Sequence, residues 1–244
     1  MKFATWTMPS HGPLDAPSRE PHPKQIIGPV RIDVDDSLTS RDAKRLVKDP
    51  ALRVIQTVAP LRSETWAMLD ERIFAQRPDV QLRLYGHYRS ECDLAITRYV
   101  PHVRDFAADS LHSAINVEAL ADLAELDALS VGIYELDSFE VLTSVPPTLH
   151  SLSLGQTRSK KPDLGHLARL TSLQRIYIEG HTKSIEVLGG LPALEDVTLR
   201  STTTPNLDFL TPLVLLGVRD FGRCDKFQGD EFQAAAVPNR APLM

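Results

Sequence analysis

Cysteine is scarce in this chain of 244 residues, which holds only Cys92 and Cys224. Two thiols exclude a disulfide framework and a cysteine-rich zinc site, and their scarcity points to a reducing cytoplasm. Long apolar runs are missing as well. No stretch approaches the roughly 20 residues that span a bilayer, so no membrane association is expected. The opening "MKFATWTMPSHGPLDAPSREPHPK" has one early Lys but no continuous apolar segment of the kind that marks a secretory signal. Excess positive charge is absent too: Lys and Arg number 27 against 32 Asp and Glu, a formal net charge of −5. That sign argues against a nucleic-acid partner. No G-x-S-x-G, P-loop or H-E-x-x-H motif occurs, and no catalytic residue, cofactor or metal is expected. Asp33, Asp35 and Asp36 lack the Gly and distant Glu of a calcium loop and read as a solvated strand end. His87 and Cys92 are two ligands at most and read as part of a surface loop. The short Ser159–Lys160–Lys161 run offers too little charge to hold nucleic acid.

What the chain does have is a period. Hydrophobic residues are 42% and charged residues 24%, enough apolar material for a sizeable core. In "RLTSLQRIYIEG" apolar residues step by three from Leu170 to Leu173 to Ile176, then by two to Ile178. The three-then-two step recurs at Leu194, Val197, Leu199; at Leu149, Leu152, Leu154; and at Leu126, Leu129, Val131. Weaker copies are Val103, Phe106, Ala108 and Val80, Leu82, Leu84. The middle residues 82, 106, 129, 152, 176 and 197 are separated by 24, 23, 23, 24 and 21, with a further step of 22 to Arg219.

Between the copies lies a second pattern of three-residue steps. It runs through Leu94; Val117, Leu120, Leu123; Phe139, Leu142, Val145; Leu164, Leu167, Leu170; Ile185, Leu188, Leu191; and Leu207, Leu210, Leu213. A step of two belongs to a strand, whose alternate side chains share a face. A step of three belongs to a tight 3₁₀ or short helical turn. One coil of a solenoid needs both, and stacked coils bury the apolar face that a single coil cannot.

With those residues in view, the chain from about 80 to 213 resembles leucine-rich repeat proteins, whose pattern is L-x-x-L-x-L. The phrasing of residues 163 to 178 is similar to the short, bacterial, internalin-like class. The resemblance implies an α/β fold: a right-handed solenoid with a concave parallel sheet and short helices or 3₁₀ turns on the convex side. It also implies a bacterial protein-binding module. The family's ladder Asn is missing here. Its slots hold His87, Leu111, Tyr134, Thr157, His181 and Thr202; Thr can hydrogen-bond neighbouring backbone, whereas Leu cannot.

Upstream, Val30, Ile32 and Val34 alternate as in a strand, "ALRVIQTVAP" reads as a second strand, and two short helices follow them. Ser40 is the expected N-cap of the first helix; Trp66, Leu69 and Ile73 share one face of the second. Residues 26 to 78 therefore read as two longer strand–helix units resembling ribonuclease-inhibitor coils. The expected organisation is a Pro-rich mobile arm over 1–25, one repeat domain over 26–222 containing six short repeats in 79–213, and an irregular C-terminal cap or tail over 223–244. Arg219 falls in the apolar slot of Ile176, which suggests an open terminal coil able to self-associate.

The outward strand positions follow from the alternation. They are Gln81, Arg83, Tyr85; Asp105, Ala107, Asp109; Ala128, Ser130, Gly132; Ser151, Ser153, Gly155; Arg175, Tyr177, Glu179; and Asp196, Thr198, Arg200. The centre is small and smooth, the flanks aromatic and charged. The expectation is a non-catalytic interaction module that binds a protein through Arg83, Tyr85, Asp105, Asp109, Arg175, Tyr177, Glu179 and Arg200, with Tyr85 and Tyr177 as anchors. Two alternatives stand beside it: an effector or enzyme accessory that holds a substrate with its repeats, and a fragment of a longer repeat protein.

Overall fold

A computed structural model describes residues 26–27, 31–85, 91–159, 161–204, 206–211, 213 and 217–220. The expected arm over 1–25 and tail over 223–244, with His87, Cys224 and Phe221, lie outside the described residues.

Among the described residues twelve strands form in chain order. They are β1 (Ile26–Ile27), β2 (Arg31–Asp33), β3 (Val54–Thr57), β4 (Gln81–Tyr85), β5 (Cys92–Asp93), β6 (Asp105–Ser110), β7 (Ala114–Ile115), β8 (Ala128–Ile133), β9 (Ser151–Leu154), β10 (Arg175–Glu179), β11 (Asp196–Arg200) and β12 (Gly217–Asp220). Ten of them make one sheet in the order β1-β2-β3-β4-β6-β8-β9-β10-β11-β12. Every pairing in it is parallel except β1 with β2. β5 and β7 pair separately, in parallel. The short antiparallel β1, which sequence periodicity does not reveal, gives β2 a partner at the start of the sheet.

Each coil returns from strand to strand through the segment that carries the three-residue step. In the first two coils these are helices α1 (Ser40–Leu46) and α2 (Ser63–Leu69), the latter continuing as a π-turn over Asp70–Phe74. In the later coils they are 3₁₀ turns: Leu94–Tyr99, Val117–Asp122, Glu140–Thr143, Leu164–Arg169, Ile185–Gly190 and Asp208–Leu210. This is the leucine-rich repeat solenoid that the residue pattern predicts. Asp93 and Asp163 start two of the turns by accepting from the backbone amides of Ala95 (2.9 Å) and Gly165 (2.8 Å). The N-cap of α1 is Thr39 rather than Ser40. Its hydroxyl accepts from the Asp42 amide (3.2 Å), while its own amide donates to the Asp42 carboxylate (3.1 Å), a reciprocal capping box.

Register makes the core. Ile32, Ile55, Leu82, Phe106, Leu129, Leu152, Ile176 and Val197 stand opposite one another in successive strands, and all are buried. The turn residues Leu120, Leu142, Leu167, Leu188 and Leu210 close the same core from the other side. Each fully buried Leu or Ile contributes about 1.5–3 kcal/mol, and stacking is what allows every coil to collect that contribution. The pairing of β11 with β12 corrects the reading of Arg219. Val218 stands opposite Val197, and Arg219 opposite Thr198. The apolar slot therefore falls on Val218, and Arg219 belongs to the outward row. A one-residue shift of register exchanges the two faces of a strand.

Candidate functional site

The face of the sheet turned away from the turns is built in rows. The middle row runs Asp33, Gln56, Arg83, Ala107, Ser130, Ser153, Tyr177, Thr198 and Arg219. One flanking row includes Asp105, Ala128, Ser151, Arg175 and Asp196. The other includes Tyr85, Asp109 and Gly132, then Glu179 and Arg200. All eight residues expected to contact a partner lie on this face, and seven of them gather in two groups.

The first group is a hydrogen-bonded chain across four strands. Gln56 donates to Asp33 (2.8 Å), Arg83 donates to Gln56 (3.0 Å), and Arg83 Nε donates to Asp109 (2.7 Å). The Arg83 guanidinium also lies 4.4 Å from the centroid of the Tyr85 ring, within cation–π range. Arg83 is 9% exposed and Asp109 16%, so this ion pair is nearly sealed from water. Beside it, Gln81 donates to Asp105 (2.8 Å). Burial raises the pKa of both Asp105 and Asp109; Gln81 pulls the first back down and Arg83 the second. Gly132 makes room for the arrangement, because a Cβ there would lie 2.2 Å from Asp109 Oδ1.

The second group lies on β10 and β11. The Tyr177 hydroxyl donates to Glu179 (3.0 Å), and Arg200 Nε lies 3.5 Å from the same carboxylate. Burial raises the Tyr177 phenol, partly offset by Arg200. Arg175 lies on the flanking row, between Ser151 and Asp196. Between the two groups lie β8 and β9. They present only Ala128, Ser130, Gly132, Ser151, Ser153 and Gly155. Among the described residues the hydroxyls of Ser130, Ser151 and Ser153 have no side-chain hydrogen-bond partner. Three strand spacings separate β6 from β10, so this floor is about 14 Å wide.

The flanks thus spend their hydrogen bonds on each other, while the floor keeps its own unused. Residue types alone do not reveal that division. Asp33 and Gln56 are the members of the first group that sequence reasoning missed. The signal was present, since the outward rows extend into β2 and β3, where the wider spacing hides the repeat.

Elsewhere, the ladder slots divide. Leu111 and Tyr134 are 48% and 42% exposed, whereas Thr157, His181 and Thr202 are buried. The hydroxyls of Thr157 and Thr202 find no hydrogen-bond partner among the described residues, contrary to the expectation for Thr. His181 Nε2 lies 3.0 Å from the Gly155 carbonyl, and its ring meets Phe139 edge-on at 4.8 Å. Cys92 is not in a surface loop: it opens β5 fully buried, and burial pushes its thiol up to about 12. No group of three or more potential metal ligands occurs among the described residues. No helix among them is long and apolar enough to cross a membrane.

No protein-family model matches this chain, and no curated protein matches it. Solved structures do. An internalin (inlF) from Listeria monocytogenes is 16% identical at a TM-score of 0.45, with 74% of this chain and 57% of that one covered. Internalin C2 from the same organism is 16% identical at 0.44, over 77% of this chain and 80% of that one. The Drosophila Toll–Spätzle complex is 13% identical at 0.46, over 81% and 31%. The leucine-rich repeat assignment rests on the coil geometry above rather than on these superpositions.

Proposed function

We propose that this chain is a protein-binding module that works in the cytoplasm as one unit over residues 26–222 and receives its partner on the concave face of the sheet. The observation that carries the reading is the floor over β8 and β9: three serine hydroxyls without side-chain hydrogen-bond partners among the described residues, framed by two groups that hold their own geometry. Small side chains let a partner's backbone approach the sheet, and hydroxyls both donate and accept. The framing groups need no reordering on association, which lowers the entropic cost of binding. In this reading Tyr85 and Tyr177 offer rigid aromatic surface at the two edges of the floor, and Arg175 and Arg200 add the partly exposed charge. Arg83 acts by holding Asp109 and Tyr85 in place.

The test is affinity capture from an extract of the native host, comparing the unaltered chain with Ser130→Arg/Ser153→Arg. The substitutions fill the floor from half-buried positions on the face turned away from the core and should leave the thermal midpoint nearly unchanged. Loss of the captured protein supports the reading; equal capture by both chains rejects it. Tyr85→Ala/Tyr177→Ala tests the anchors by the same measurement.

A further inference from the structure

We propose that the partner meets the concave face with an arginine, whose guanidinium seats on Asp105 at the front edge of the floor and reaches the hydroxyls of Ser130 and Ser151. This rests on the concave-face reading and names the chemistry of the group received there. β6 carries two outward carboxylates, Asp105 and Asp109, and the chain treats them differently. Asp109 has its cation, with Arg83 Nε 2.7 Å away. Asp105 has none. Among the described residues its one hydrogen-bond partner is the uncharged amide of Gln81, which donates to Oδ1 (2.8 Å), and no ion pair reaches it. The cations nearby are committed elsewhere: Arg83 to Gln56 and Asp109, Arg104 to Glu125, and His150 to Asp127. The Asp127 carboxylate does act on Asp105, and it repels. A half-buried carboxylate in that state costs the free chain stability. A cation brought by a partner removes the cost, so the charge favours the complex over the free chain.

The surroundings fit a guanidinium in particular. In the row of Asp105 the next positions toward the floor are Ala128 on β8 and Ser151 on β9. Ala128 offers only a methyl group, so the way from the floor to Asp105 is low. Ser130 lies two residues along β8 on the same face. The hydroxyls of Ser130 and Ser151 have no side-chain hydrogen-bond partner among the described residues. Two strand spacings, about 10 Å, separate the backbone at Asp105 from that at Ser151. A side chain lying over Ala128 thus has an anion on one side and hydroxyl acceptors on the other. Arginine answers both at once, because its planar group carries five N–H donors and a permanent charge. Gln81 occupies Oδ1, which leaves Oδ2 for one of those donors. Lysine is a compact, more strongly hydrated charge and gives up more water on entering a half-buried site.

The experiment uses the full chain and a display library of random peptides. Peptides are selected on the unaltered chain and kept only if they fail to bind Ser130→Gln/Ser153→Gln. There neutral side chains fill the floor, so the counter-selection does not itself favour a cationic peptide. The expected result is a set of floor binders that share an arginine. Replacing that arginine by citrulline keeps its shape and removes its charge, and should weaken binding at least about tenfold by fluorescence polarisation. Asp105→Asn should weaken the arginine peptide to the same extent, with circular dichroism unchanged. The citrulline peptide should bind Asp105→Asn as well as it binds the parent chain, because the pair is already broken. Floor binders without a shared arginine, or arginine peptides indifferent to Asp105→Asn, overturn the inference and leave the concave-face reading standing. An equal loss from citrulline on both chains overturns it as well, since the arginine then meets another group. A library that yields only peptides which also bind Ser130→Gln/Ser153→Gln overturns the inference and the concave-face reading together.

Discussion

The front coils, through β8, and the back coils, from β9 onward, share one three-then-two phrasing and treat the same position in opposite ways. In front, the ladder slot holds Leu111 and Tyr134, both exposed; behind, it holds Thr157, His181 and Thr202, all buried. Polarity alone would assign these the other way round. At two of the three buried slots backbone conformation decides instead. Gly180 and Ser201, immediately before His181 and Thr202, have φ of 79° and 53°, a left-handed kink that interrupts strand alternation; Thr157 is buried without one. No such residue precedes Leu111 or Tyr134. There the alternation continues past Ser110 and Ile133, which are buried, and the next side chain points out. A repeat motif therefore specifies the coil, while at His181 and Thr202 the residue after the strand specifies what its edge shows to the outside.

The sharpest way to break this comparison is at the two charged groups of the concave face. Arg83→Ala removes the partner of a nearly sealed Asp109 carboxylate and should cost about 3 kcal/mol in urea denaturation. Arg200→Ala, at the back, removes a guanidinium that is 43% exposed and leaves Glu179, itself only 14% exposed, still accepting from the Tyr177 hydroxyl; the expected cost is under about 1 kcal/mol. Equal losses would show that the Arg83 guanidinium is no more sealed from water in solution than that of Arg200.

The slots give a smaller effect of opposite sign. Thr157→Val and Thr202→Val delete hydroxyls that are buried without a hydrogen-bond partner and keep side-chain shape. Each should raise stability by about 1 kcal/mol. Leu111→Thr, at an exposed slot, should move it by less than about 0.5 kcal/mol. If either valine variant is less stable than the parent, the slot hydroxyls have a partner and the polar stack in the back coils is a bonded one.

The architecture was legible because period and register follow directly from spacing. All six short strands and their turns fall where the three-then-two pattern puts them, and the outward rows read from alternation are the rows the pairing produces. What was not legible depends on distances between strands. That Arg83 is held by Gln56 and Asp109, so that a residue expected to meet a partner is nearly sealed, needs the register of three strands at once. Arg219 was misread because the last step was counted as 22 when the coil closes on Val218, and in a strand one residue is the whole difference between faces. Cys92 looked like a loop residue because β5 and β7 are two residues long, too short for any alternation to show.

Asp105 gives the smallest effect and the one with a pH signature. Burial raises its pKa in the folded chain above the ordinary carboxylate value. At neutral pH the folded state must therefore hold a charge that the unfolded chain holds more easily, and Asp105 is destabilising there. As pH falls through the raised value, the folded state takes up the proton first, so the penalty shrinks and is gone below the ordinary value. Asp105→Asn keeps an oxygen for the Gln81 amide, 2.8 Å away in the parent chain, and removes the charge. The expected outcome is a variant more stable than its parent at pH 7, with the advantage narrowing as pH falls toward the ordinary carboxylate range. An Asp105→Asn chain that is less stable at pH 7 would mean that the front carboxylate is favourably engaged as a charge. The acidic side of the concave face would then be a feature of the folded chain itself and would have no need of a partner to account for it.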